Sequence, residues 1–115
     1  MSWTIKTLEY FDQWFEALSE AEQMDMLTGV YLLEEQGPNL PRPYADTLKG
    51  SNFNNMKELR VQHKGKPYRI LYAFDPNREG ILILGGNKGG DKRWYNKNIV
   101  LADKLYQNHL DKLEN

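Results

Sequence analysis

Hydrophobic spacing changes twice along this chain, and each change marks a change of secondary structure. Trp3 and Ile5 alternate with polar neighbours across Ser2–Lys6, which predicts a short opening strand. The period then lengthens: Leu8, Phe11, Phe15 and Leu18 recur at helical spacing, and Trp14 widens their stripe. Thr7 is expected to cap this helix, with Glu9 and Asp12 suited to its positive end. Ser19 followed by Glu22 is a capping box, so a second helix begins there. It carries Leu27, Val30 and Tyr31 and stops at Gln36-Gly37-Pro38, a left-handed position followed by a breaker. The two helices make a hairpin.

Residues 37–55 hold Pro38, Pro41, Pro43 and Gly50 and read as a long surface connector. Beyond it the period falls to two. In 56–63, Leu59 and Val61 face one way while Glu58, Arg60 and Gln62 face the other. Lys64-Gly65 signals a turn. In 66–75, Tyr68, Ile70, Tyr72 and Phe74 share a face opposite Arg69, Leu71 and Ala73. Asp75-Pro76-Asn77 predicts a type I turn, and 80–86 is apolar on both faces, as a central strand is. Three strands joined this closely form an antiparallel meander. Helical spacing returns at Ile99, Ala102, Tyr106 and Leu113. The expectation is one α+β domain over residues 1–115: strand, helical hairpin, meander sheet, C-terminal helix.

Composition narrows the functions available. The chain has no cysteine and two histidines, His63 and His109, which argues against thiol catalysis, disulfides and a structural zinc site. No apolar run approaches the ~20 residues of a membrane helix, and the opening residues lack a secretory pattern, so a cytoplasmic location is expected. The overall charge of −1 conceals a strong segregation. Residues 1–55 hold three basic groups against nine acidic ones, while residues 56–97 hold ten against four. Such segregation predicts a polyanion-binding surface on one part of the molecule.

Candidate chemistry concentrates in that basic segment. The run Gly85-Gly86-Asn87-Lys88-Gly89-Gly90-Asp91-Lys92 places Asp91 where a phosphate loop needs its lysine, so nucleotide hydrolysis is not expected. It reads instead as a flexible strand-to-helix loop delivering Lys88, Lys92 and Arg93 to the end of the sheet. Glu34 and Glu35 point apart on a helix and suit a solvated face better than a metal site. His63, at a strand end, is the better placed histidine for acid–base chemistry; His109 suits packing. Arg60 and Arg69 lie on consecutive antiparallel strands and would converge on one face if the register allows. Guanidinium forks grip phosphate by paired hydrogen bonds, and Tyr95 at the head of the last helix offers a ring for stacking. The competing expectation is that Arg60, and less readily Arg69, pairs with acidic groups of residues 1–55.

The ordered combination MKELRVQHKGKPYRILYAFDP, LGGNKGGDKRWY and a closing helix resembles the HigB-like branch of the RelE/ParE toxin superfamily, and the similarity runs through nearly the whole chain. The resemblance implies a RelE-like fold and the toxin half of a type II toxin–antitoxin pair. The activity implied is ribosome-dependent cleavage of messenger RNA by its own 2′-hydroxyl, without metal or cofactor. The implied partners are the ribosome with its mRNA and a co-encoded antitoxin, a small helix-turn-helix protein. Carried over by motif, the catalytic residues fall on Arg60, Arg69 and Tyr95 and the RNA-binding loop lysine on Lys88; Lys57, Lys92 and Arg93 are expected on the RNA from their place in the basic segment. The superfamily also contains non-enzymatic members that bind and inhibit DNA gyrase, which is the alternative reading.

Overall fold

A computed structural model describes residues 2–115. In chain order the elements are β1 (Ile5–Thr7), α1 (Glu9–Glu16), α2 (Glu20–Gln36), a 3-10 turn (Gly37–Asn39), β2 (Ala45–Thr47), β3 (Lys57–His63), β4 (Lys66–Phe74), β5 (Gly80–Asn87) and α3 (Trp94–Leu113). The strands form one sheet in the order β1-β5-β4-β3-β2. The β3–β4–β5 meander is antiparallel as expected, whereas β1 adds parallel to β5 and makes the sheet mixed.

Local chemistry explains most boundaries. Ser19 Oγ accepts the Glu22 N–H at 3.2 Å, and Glu22 Oε1 accepts the Ser19 N–H at 2.8 Å, completing the capping box of α2. Gly37, at φ +59°, ends that helix. Lys64 and Gly65 both adopt positive φ, the turn whose twist matches the two strands it joins. The Arg78 N–H closes the next turn onto the Asp75 carbonyl at 2.8 Å. One cap differs from expectation: Thr7 ends β1, and Leu8 occupies the cap of α1 without a side-chain bond. The parallel pairing with β5 draws Thr7 into the strand.

The sheet lies between two apolar layers. On one face the hairpin α1–α2 packs Phe11, Met26 and Leu33 against Leu59, Ile70 and Tyr72. On the other, α3 packs Trp94, Ala102 and Tyr106 against Leu71, Ala73 and Ile83. The alternation read in β3 and β4 is this division. Inside α2 the buried positions are Met26 and Leu33; Leu27 and Tyr31, read as the apolar stripe, are exposed. Gly29 accounts for the difference. A Cβ there would come within 2.9 Å of Val61, so the helix lies on β3 along its glycine side and turns Leu27 and Tyr31 outward.

The connector is less loop-like than its prolines suggest. It contains β2, paired antiparallel with β3, and buries Leu40, Ala45 and Leu48. Asp103 of α3 holds its far end, accepting from Ser51 Oγ at 2.5 Å and the Asn52 N–H at 2.8 Å. Gly85 and Gly86, which open the glycine-rich run, belong to β5, as the reading of 80–86 as a strand expects. Any Cβ would lie 2.3 Å from the Trp14 ring at the first and 2.8 Å from Trp94 Nε1 at the second. These glycines admit two indoles to opposite faces of one strand.

Candidate nucleic-acid interface

The register of the meander decides the site. Arg60 on β3 and Arg69 on β4 are direct cross-strand partners, so their side chains leave the same face at adjacent positions. Two guanidinium groups so close repel unless an anion separates them. Glu58, two residues before Arg60 and on the same face, supplies it. Its side chain is 6% exposed, and the carboxylate lies 3.0 Å from Arg60 Nε and 3.4 Å from Arg69 Nε. Tyr95, from the first turn of α3, donates its hydroxyl proton to Glu58 Oε1 at 2.5 Å and accepts from Arg69 Nε at 3.2 Å. Arg69 Nη1 donates to the Tyr68 carbonyl at 2.9 Å, which fixes the plane of the guanidinium. Burial and then the neighbouring Glu58 raise the Tyr95 phenol above its ordinary pKa, with Arg69 opposing. The phenol therefore keeps its proton at neutral pH.

Further charges surround this core. Lys88 Nζ lies 5.8 Å from the centre of the Tyr95 ring. Arg60 Nη2 donates to Asp46 of β2 at 3.2 Å, and Arg42 Nε lies 3.1 Å from the same carboxylate. An open depression of about 270 Å³ runs past Asp46, Lys49, Glu58, Arg60 and Tyr95. Lys92 and Arg93 are exposed on the short segment leading into α3. Asp91 Oδ1 shapes that segment by accepting the Arg93 N–H at 3.0 Å, while its other oxygen pairs with Lys97 at 2.8 Å.

Of the residues singled out from sequence, Arg60, Arg69, Tyr95 and Lys88 come together, and Lys92 and Arg93 lie on the segment between Lys88 and Tyr95. Lys57 does not join them: it points to the hairpin face, where its ammonium donates to the Pro38 carbonyl at 3.0 Å. Parity along β3 carried that signal, since Lys57 shares its face with Leu59 and Val61. The same parity placed Glu58 beside Arg60, but nothing in the sequence marked it as the shared anion. His63 is buried on the hairpin face, 2.6 Å from Asp25, and His109 lies 2.8 Å from Asp75 beside Tyr106; neither belongs to the arginine cluster. Arg60 does pair with an acidic residue of the first half, Asp46, and with Glu58 as well. Among the described residues no cluster of three or more metal-ligating side chains occurs, and no helix is long and apolar enough to cross a membrane.

The backbone likeness defines a class. The archaeal RelE–RelB complex from Pyrococcus horikoshii OT3 contains a chain that superposes with a TM-score of 0.57 at 18% identity, covering 78% of this chain and 99% of that one. A doubly substituted mutant of E. coli toxin RelE in the free state gives 0.58 at 12% identity, covering 80% and 90%. At those identities the likeness shows the fold, which is that of RelE. Sequence carries the matter further. The protein named "Putative toxin HigB3" of Mycobacterium tuberculosis is 46% identical over 104 residues, 90% of each chain. "Putative toxin HigB2" of the same organism is 38% identical over 99% of this chain, which spans only 57% of that relative. Residues 13–107 match the family described as "Phage derived protein Gp49-like (DUF891)", and the chain belongs to that family and is HigB-like in sequence.

Proposed function

We propose that this chain is the toxin of a type II toxin–antitoxin pair, acting in the cytoplasm by cutting messenger RNA on the ribosome. The observation that carries the reading is the network on one sheet face: two cross-strand arginines and a tyrosine held by one buried carboxylate. Attack by the 2′-oxygen, its proton passing to water, forms a bond to the adjacent phosphorus and breaks the bond to the 5′-oxygen, which leaves as a hydroxyl on taking a proton from water. Negative charge gathers on the non-bridging oxygens, and cations fixed beforehand lower that barrier. Arg69 and Arg60 hold the scissile phosphate. Lys88, Lys92 and Arg93 hold its neighbours, contacts that carry affinity rather than base choice. Tyr95, keeping its proton, stacks on or hydrogen-bonds a base instead of serving as a phenolate. Glu58 holds the two arginines at a fixed spacing before RNA arrives, so little reorganisation accompanies binding. The ribosome supplies substrate geometry and the antitoxin restrains the activity.

The test is induction in cells. Wild-type chain should arrest growth by stopping translation before replication, with cleavage visible in ribosome-bound transcripts. Arg69→Ala should lower cleavage at least about 100-fold, as loss of one charge-stabilising donor does, and restore growth with the thermal transition intact. Replication stopping first, with transcripts uncut, would favour gyrase inhibition; undiminished toxicity in Arg69→Ala/Tyr95→Phe would remove the site from the reaction.

A further inference from the structure

The acidic first half of the chain holds only three basic side chains, Lys6, Arg42 and Lys49. Lys6 pairs with Glu79. The other two come from the connector and lie at the edge of the arginine cluster. Lys49 lines the depression of about 270 Å³ with Arg60 and Tyr95, and Arg42 reaches the Asp46 carboxylate on its wall. Among the described residues Lys49 pairs with no acidic side chain. Cations this sparse in one half of a sequence, yet folded against the basic surface of the other half, extend that surface.

Asp46 holds them in an arrangement that an outside anion can take over. Its Oδ2 alone faces two guanidinium groups, Arg42 Nε at 3.1 Å and Arg60 Nη2 at 3.2 Å. Its Oδ1 accepts the Thr47 N–H at 2.9 Å. Asp46 also stands directly across the β2–β3 ladder from Glu58, a pairing of like charges that Arg60, bonded to both, offsets. The two carboxylates differ in their access to water. Glu58 is buried and engages both oxygens with Arg60, Arg69 and Tyr95. The Asp46 side chain is 24% exposed and that of Arg42 76%, so their ion pair contributes little and exchanges readily. A guanidinium takes phosphate as well as carboxylate. Arg60 can keep Nε on Glu58 while Nη2 changes partner.

We propose that Arg42, Lys49 and the outer arm of Arg60 form a second phosphate site for single-stranded RNA, beside the Arg60–Arg69 pair, and that Asp46 fills it until RNA arrives. That the polyanion is RNA rests on the function proposed above; the displaceable carboxylate does not. Asp46 acts as a positioning residue that also selects. A loose anion gains too little at one site to displace it. A strand already held at Arg69 presents its neighbouring phosphate at high effective concentration and displaces it.

The experiment measures binding of the full chain to a short 2′-O-methyl RNA, which lacks the attacking hydroxyl, by fluorescence anisotropy across a range of salt. Asp46→Asn keeps the Thr47 contact, removes the competing charge and should tighten binding about tenfold. Arg42→Ala and Lys49→Ala should each weaken it. Each should also flatten the dependence of log affinity on log salt by about 0.7, the share of one phosphate contact on a single strand. In the Asp46→Asn background the loss from Arg42→Ala should exceed that in wild type, because no carboxylate then masks the guanidinium. Salt slopes that keep the wild-type value in both alanine variants overturn the proposal. So does an Asp46→Asn chain that binds RNA no more tightly than wild type, or more weakly in step with a lowered thermal midpoint; Asp46 then only holds β2 on β3. Arg69→Ala separates this proposal from the cleavage reading. If it leaves RNA affinity untouched while the Asp46 and Arg42 effects persist, the second site stands and the centre proposed above is removed.

Discussion

The two faces of the central sheet are built from the same strands and carry opposite characters. On the α3 face, β3 and β4 present Glu58, Arg60 and Arg69, a charged set that closes upon itself around one carboxylate. On the hairpin face the same strands present Leu59, Val61, Tyr68 and Ile70, and the helices laid over them turn acidic and apolar groups outward. Alternation with period two allows this, because neighbouring residues on a strand never share an environment. A one-residue slip of β3 would exchange the faces, sending Arg60 into the hairpin core and Leu59 toward the α3 side. The register that brings Arg60 opposite Arg69 is therefore also what keeps the hairpin core dry.

Breaking the charged face should have the largest effect. Glu58→Ala leaves two partly buried guanidinium groups facing each other without their anion, and should cost about 3 kcal/mol of stability. The denaturant midpoint measures this, and an unchanged midpoint would mean that the arginines find other partners unaided. A gain is expected on the opposite face. The Tyr72 hydroxyl is buried in the hairpin core with no hydrogen-bond partner among the described residues. Tyr72→Phe should therefore stabilise the fold by about 1 kcal/mol, with cleavage unaffected. The smallest effect concerns pH. The Tyr68 phenol and then the Ser19 cap hold the Glu22 carboxyl at about 2, below its ordinary 4.5. A depressed carboxyl stabilises the fold above its unfolded value, and that contribution disappears as pH falls from 4.5 toward 2. The advantage of wild type over Glu22→Gln in thermal midpoint should shrink across that window; a constant difference would assign Glu22 a role independent of its charge.

What could be read in advance followed the range of the interactions involved. The α2 capping box, the Lys64-Gly65 turn and the split of β4 into a tyrosine–isoleucine face and an Arg69 face are consequences of residues within a few positions, and all were legible. Pairing between distant segments was not. The three residues of β2 sit in a proline-rich connector and become a strand only because β3 is there to bond them. The parallel addition of β1 to β5 depends on the whole intervening chain. Gly85 and Gly86 could be placed at the end of a strand, but the reason for glycine there could not be read, because the indoles that require them, Trp14 and Trp94, come from remote helices. The arginines could be named, but their adjacency was a matter of register, and Glu58 read as an isolated acid in a basic stretch. The outward turn of Leu27 and Tyr31 likewise depended on Gly29 meeting Val61.

The glycine pair in β5 has a mechanical corollary. Trp14 and Trp94 close on bare backbone from the two sides, like jaws on a rail, and Lys88 leaves the strand only two residues beyond Gly86. Backbone drift has almost no length over which to accumulate, so the span that the Lys88 ammonium can sweep is set by its own four methylenes.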